Sequence, residues 1–96
     1  MKSNEYIISE LEKIIIKFPN IRIRYENYDS NTHFLEITPN LIISDKDYIN
    51  CENEFFNNFI SKFPNQNICF LSDDSIVGLF KIDYEIKGDK FIDLFE

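Results

Sequence analysis

Ninety-six residues, 44% of them hydrophobic and ten of them phenylalanine, supply one domain with a modest core, since a chain this size buries roughly 60–65% of its unfolded surface. A net charge of −7 and a pI near 4.6 argue against nucleic acid and anionic membranes, which are held by clustered Lys and Arg. Two cysteines, one histidine and two glycines leave no disulfide framework, no multi-histidine metal site and no Gly-rich phosphate loop.

The first element reads as a helix from about Asn4 to Phe18. Ile7, Ile8, Leu11, Ile14, Ile15 and Phe18 fall on one face of a 3.6-residue period. Ser3 or Asn4 is placed to cap it, Glu5 complements its dipole, and Pro19 stops it. A hairpin follows, with Ile21, Ile23 and Tyr25 alternating against Arg22, Arg24 and Glu26, and His33, Leu35 and Ile37 against Phe34, Glu36 and Thr38. A three-residue loop, Asp29-Ser30-Asn31, with Asn31 left-handed, pairs Tyr25 with Leu35, Ile23 with Ile37 and Arg24 with Glu36. Apolar pairs then share one face, and an opposite-charge pair lies on the other.

Pro39 ends the second strand, and Leu41 to Ile43 form a short apolar connection. A second helix, about Asp45 to Phe63 with Ser44 as cap, carries Tyr48, Ile49, Phe55, Phe56, Phe59, Ile60 and Phe63 on its apolar side. Ile68 to Leu71 is an uninterrupted apolar strand, expected to be central and buried on both faces. Ser72 to Ser75 turn the chain, with Asp73-Asp74 read as a solvated turn rather than a metal loop. A last strand sets Phe80, Ile82, Tyr84 and Ile86 against Lys81, Asp83, Glu85 and Lys87, with Gly78 as a bulge, and Phe91, Leu94 and Phe95 dock or fray behind it.

Lys17-Phe18-Pro19-Asn20 recurs as Lys62-Phe63-Pro64-Asn65. Either residues 4–39 and 45–87 are an internal duplication, or both have converged on good helix-stopping chemistry. The expected fold is a single α+β domain over residues 1–96, a two-layer sandwich of order α-β-β-α-β-β. Its four-stranded, mainly antiparallel sheet carries both helices on one face. Ile7, Leu11, Ile14, Ile23, Leu35, Ile37, Phe55, Phe59, Phe70 and Ile82 form the expected core.

Two places attract functional attention. Glu52 lies four residues after Tyr48 and three before Phe55, in the middle of an apolar stripe. A carboxyl there needs a partner. Glu52 is therefore expected to be at least half buried and hydrogen-bonded to a sheet residue, a tyrosine hydroxyl or His33. This is a structural polar contact in the simpler reading and an acid–base pair in the catalytic one. The outer sheet face is the second place. Arg22, Arg24, Phe34, Glu36, Asp83 and Glu85 point away from the helices there, with Phe34 as an interface anchor.

Charge is lopsided: residues 1–43 carry a net of −1 and residues 44–96 a net of −6. Such a field steers in a basic protein. Cys51 and Cys69 read as buried, reduced thiols. No apolar run spans a bilayer, and Glu10 and Glu12 interrupt any signal-peptide pattern, so the expected compartment is the cytoplasm. The abundance of Asn, Ile and Lys fits an AT-rich bacterial genome.

The stretch FPNQNICFLSDDSIV, Phe63 to Val77, is similar to segments of small uncharacterised bacterial proteins, some encoded as immunity partners of secreted toxins. That resemblance implies a cytoplasmic inhibitor that binds a toxin domain tightly with no catalysis of its own, and the acidic charge agrees with a basic toxin; no cofactor or metal is expected. A small enzyme using Glu52 with His33, and a self-associating structural protein that dimerises through its open sheet face or edge, are the alternatives.

Overall fold

In the computed structural model, which describes residues 1–72 and 78–92, the first apolar stripe folds as α1 (Ser3–Lys17), burying Tyr6, Ile7, Leu11, Ile14 and Ile15. Neither Ser3 nor Asn4 caps it. Lys2 occupies the cap position without a side-chain bond, because its carbonyl already accepts from the Tyr6 N–H at 3.0 Å and starts the helix one residue earlier. The Phe18 N–H closes on the Ile14 carbonyl at 2.8 Å before Pro19 ends the helix.

β1 (Arg22–Asp29) and β2 (Thr32–Thr38) pair antiparallel, with Ile23 opposite Ile37, Arg24 opposite Glu36 and Tyr25 opposite Leu35. The register is the expected one, but the turn is not. Asp29 pairs with Thr32, leaving a Ser30-Asn31 loop, and the register shifts between Asn27 and Asp29, so that Tyr28 is the extra residue of a bulge. No described non-glycine residue has a positive φ. Asn31 is held instead by donating its N–H to Asp29 Oδ1 at 2.8 Å, an Asx arrangement that turns the chain without left-handed backbone.

A 3-10 turn over Asn40–Ser44 leads into α2 (Lys46–Lys62). Its cap is Asp45, not Ser44: Asp45 Oδ1 accepts the Tyr48 N–H at 3.0 Å. Tyr48, Phe55 and Phe59 are buried, whereas Ile49 and Phe56 each remain 40% exposed. The two helices pack on each other, Tyr6 meeting Phe55, Phe59 and Phe63 with ring centroids 5.8–6.4 Å apart. Their buried side chains join Ile23, Tyr25, Leu35, Ile37 and Ile68 in one cluster. At roughly 25 cal/mol per Å² of apolar area, that layer is the main stabilising term.

The second half departs from expectation. β3 (Asn67–Ser72) runs parallel to β2, and β4 (Tyr84–Lys87) runs antiparallel to β1. The strand order is β3-β2-β1-β4. Among the described residues the sheet is therefore mixed rather than mainly antiparallel, β3 is an edge strand rather than a central one, and β3 and β4 form no second hairpin. Connection length and handedness explain why. Seventeen residues of α2 between β2 and β3 make a βαβ crossover, which needs parallel strands. β3 and β4 are parallel as well, but the step between them runs back across the sheet. Right-handed crossovers stepping in opposite directions use opposite faces, and at Phe80 the described part of the return connection lies on the face away from the helices.

Two residues report its position there. The Phe80 N–H donates to Glu26 Oε1 at 2.8 Å on the outer face, and Glu26 is only 1% exposed. Because residues 78–83 serve this crossing, β4 starts only at Tyr84. Phe80 and Ile82 are consequently exposed, Ile82 is not core, and Gly78 sits in open space rather than in a bulge. Phe70 is only partly buried, as an edge position dictates. The other eight expected core residues are buried. Beyond Ser72, the turn expected at Ser72–Ser75 lies outside the described residues, as do Leu94 and Phe95. No helix among the described residues is long and apolar enough to cross a membrane. The architecture is α+β: two helices and an open four-stranded sheet.

Gly88 closes the structure. Its N–H donates to the Ile21 carbonyl, and the Lys90 N–H donates to Pro19 O, each at 2.9 Å. A Cβ at Gly88 would overlap the Pro19 carbonyl group, so the end of β4 meets the bend after α1 with no room for a side chain.

Candidate functional site

The outer face is built from alternate residues of the strands. Arg24 sits at its centre, opposite Glu36 on β2 and Glu85 on β4 at the same rung. Its Nε donates to Glu85 Oε1 at 2.6 Å, and its guanidinium lies 4.0 Å from Glu36. Arg22 reaches Thr38 Oγ1 at 3.4 Å and stacks over the Phe91 ring at 5.4 Å. Asp83 lies at the entrance to β4 rather than within it. Its Oδ2 accepts the Asn27 N–H at 2.7 Å, and its N–H donates to the Tyr25 carbonyl at 2.8 Å. The structure thus gathers Arg22, Arg24, Glu36 and Glu85, and these charges largely answer one another across the strands. Exposed pairs of this kind contribute about 0–1 kcal/mol each, and a lattice already paired offers little charge to a partner.

Phe34 is not an isolated exposed anchor. It is partly buried under Tyr28, ring to ring at 5.8 Å, and Tyr28 in turn meets Phe80 at 6.3 Å. The exposed members of this ladder are Phe80, at 80%, and Tyr28, at 54%. The bulge that ends β1 and the connection that crosses below it bring the three rings together at the hairpin end. Asp29 and Asp83 are exposed beside them. Period-two reading reaches Phe34 but not this cluster, because Phe80 looks like an ordinary strand residue until the crossing path is known.

Glu26 is likewise missed by pattern reading. It occupies an outward position, and only the connection over it, through the Phe80 N–H and a longer contact to the Lys81 N–H at 3.5 Å, makes it buried.

Glu52 and His33 do not pair. His33 is fully buried, with Tyr25 Oη 2.7 Å from Nδ1 and Gln66 Oε1 2.7 Å from Nε2. A side-chain carbonyl only accepts, so Nε2 carries the proton and donates to Gln66, while Nδ1 accepts from the Tyr25 hydroxyl. Burial pushes the Tyr25 hydroxyl far above the ordinary tyrosine range, with Asp83 adding to the effect, which keeps that hydroxyl a donor. Glu52 is partly buried and takes its hydrogen bond from Tyr48, one turn back on its own helix, not from the sheet. Desolvation raises its carboxyl above the usual range, and the Tyr48 bond opposes that only in part.

Cys51 is partly buried, and desolvation pushes its thiol up, which makes it a poor nucleophile. Cys69 is exposed on β3 rather than buried. Among the described residues, no three His, Cys, Asp or Glu side chains gather as a metal site would require. Comparison of the chain with known protein families, curated proteins and solved structures finds no match.

Proposed function

We propose that this chain is an acidic protein-binding module, an immunity-type inhibitor that acts in the cytoplasm on a basic toxin domain. The observation that carries the reading is the aromatic ladder Phe34–Tyr28–Phe80, whose outer rings stand in solvent at one end of the sheet. Exposed aromatics on a rigid strand end make good interface anchors, because they bury large area at little entropic cost. A net charge of −7 supplies long-range attraction for a basic partner. Arg or Lys side chains of that partner would stack on Tyr28 and Phe80 and meet the carboxylates of Asp29 and Asp83. Glu52 and His33 bond to different partners, which favours the binding reading over an acid–base pair.

Affinity capture from the native host tests the reading. The parent should recover a basic protein, and a Tyr28→Ala, Phe80→Ala double variant should lose it while keeping its circular dichroism spectrum. Association should slow severalfold between 50 and 500 mM salt, as the Debye length falls from about 14 Å to about 4 Å. Recovery of no partner, or equal recovery by the double variant, decides against it.

A further inference from the structure

The segment that carries Phe80 across the outer face ends in a fixed carboxylate. Asp83 is tied to β1 twice: its N–H donates to the Tyr25 carbonyl at 2.8 Å, and its Oδ2 accepts the Asn27 N–H at 2.7 Å. The other oxygen, Oδ1, faces the Lys81 ammonium at 3.7 Å. That separation is too long for a hydrogen bond, which for N–H···O spans about 2.7–3.2 Å. Both side chains stand partly in solvent, Lys81 at 57% and Asp83 at 37% exposure. The carboxylate is therefore rigidly placed, whereas the ammonium beside it is held loosely, by charge alone.

This loose pair adjoins the two exposed rings. Phe80 immediately precedes Lys81, and Asn27, the residue that Asp83 holds, immediately precedes Tyr28. The rings of Phe80 and Tyr28 meet at 6.3 Å. Residues 80–83 are anchored at both ends, through the Phe80 N–H on Glu26 and through Asp83 on Tyr25 and Asn27. Ring, ammonium and carboxylate are thus presented together on one short, fixed stretch of chain.

We infer that Lys81 is an internal stand-in for an arginine of the partner: it occupies the cation position beside Asp83 in the free chain, and binding displaces it. The inference rests on the basic-partner reading. It adds the side chain that is recognised and a contact that restrains binding until that side chain arrives. Arginine suits the position better than the lysine that holds it. A guanidinium donates to a carboxylate in a planar fork and stacks flat on aromatic rings, whereas an ammonium is a compact, strongly hydrated charge. Asp83 supplies the carboxylate, and Phe80 and Tyr28 supply the rings. Lys81 makes no hydrogen bond to Asp83, so its flexible stem can swing into solvent without breaking one.

Hexa-arginine is the probe, titrated into the isotope-labelled full chain at about 50 mM salt, where screening is weak. The backbone amide signals of Tyr28, Phe80 and Asp83 should shift together, and hexa-lysine should bind there about threefold more weakly. Lys81→Ala should lower the dissociation constant read at those amides about two- to fivefold, the range an exposed ion pair covers. Lys46→Ala removes the same charge from an exposed position on α2 and sets the gain due to net charge alone. Asp83→Asn keeps an acceptor for the Asn27 N–H but loses the charge, and should weaken binding about fivefold with the circular dichroism spectrum unchanged. If Lys81→Ala gains no more than Lys46→Ala, or hexa-lysine matches hexa-arginine, the inference is overturned while the aromatic ladder keeps its role. If the shifts fall elsewhere and the Tyr28→Ala, Phe80→Ala double variant leaves them unchanged, both fall.

Discussion

Replacing Gly88 with alanine adds one methyl group where the chain leaves β4, directly against the Pro19 carbonyl. The obstacle is backbone on both sides, so a rotamer change cannot relieve it. Separating the two segments costs the Gly88–Ile21 and Lys90–Pro19 bonds, both 2.9 Å long, at about 1 kcal/mol each. It also loosens Ile86 and Tyr84, which pack against the core, at about 1 kcal/mol for partial loss of contact. Alanine lowers unfolded-state entropy and returns roughly 0.5–1 kcal/mol. The net expectation is a destabilisation of about 2–2.5 kcal/mol. Urea unfolding followed by circular dichroism measures it, as a lower midpoint at unchanged slope. A Gly88→Ala protein as stable as the parent would refute the close approach and the β4 docking argued from it.

Glu26→Ala leaves the Phe80 N–H without its acceptor and should cost about 1–3 kcal/mol. Hydrogen exchange should show protection lost at Phe80 but kept along the β1–β2 ladder, with Glu26→Gln close to the parent; unchanged protection in the alanine variant contradicts the anchoring role. For Glu52 the folded carboxyl is raised above its ordinary value of 4.5 by desolvation, so the native state binds that proton more tightly than the unfolded chain. Ionised Glu52 therefore opposes folding at neutral pH, and the penalty lifts as pH falls through the raised value towards 4.5. Glu52→Gln should match or exceed the parent at pH 7, by up to about 1 kcal/mol, with the gap closing by pH 4.5. Paired denaturation curves check this, and a destabilised Gln variant at pH 7 counts against it.

Local pattern carried the first half of the chain well. Period 3.6 in Ile7, Leu11 and Ile14 and period two in Ile23, Tyr25, Leu35 and Ile37 are set by neighbours in sequence, and the buried side chains follow them. The turn between the strands resisted, because Asp29 offers its own carboxyl to Asn31 and removes the need for a left-handed residue. The second half resisted for a different reason. Nothing within Ile68–Leu71 or Phe80–Ile86 states which strand each will meet, and the apolar run of β3 looks the same at an edge as at the centre. The stripe position of Glu52 suggests a carboxyl that faces the sheet. Tyr48, one turn earlier on the same helix, was closer to hand. His33, by contrast, was legible as buried, while its partners Tyr25 and Gln66 depend on the register of β2 with β1 and β3.

The path of the chain around its central hairpin also orders its assembly. β1 and β2 are separated by a short turn and can pair early, whereas Arg24 and Glu85 meet at a sequence separation of 61. Contacts of such long sequence separation form late, after the loop-closure entropy has been overcome. During synthesis the hairpin therefore waits with the outer side of β1 open, until residues 84–87 leave the ribosome. Arg22, Arg24 and Glu26 alternate along that waiting edge, and charges at every second position discourage another chain from adding a strand there. The same residues that tie the finished sheet together thus guard the nascent one against aggregation.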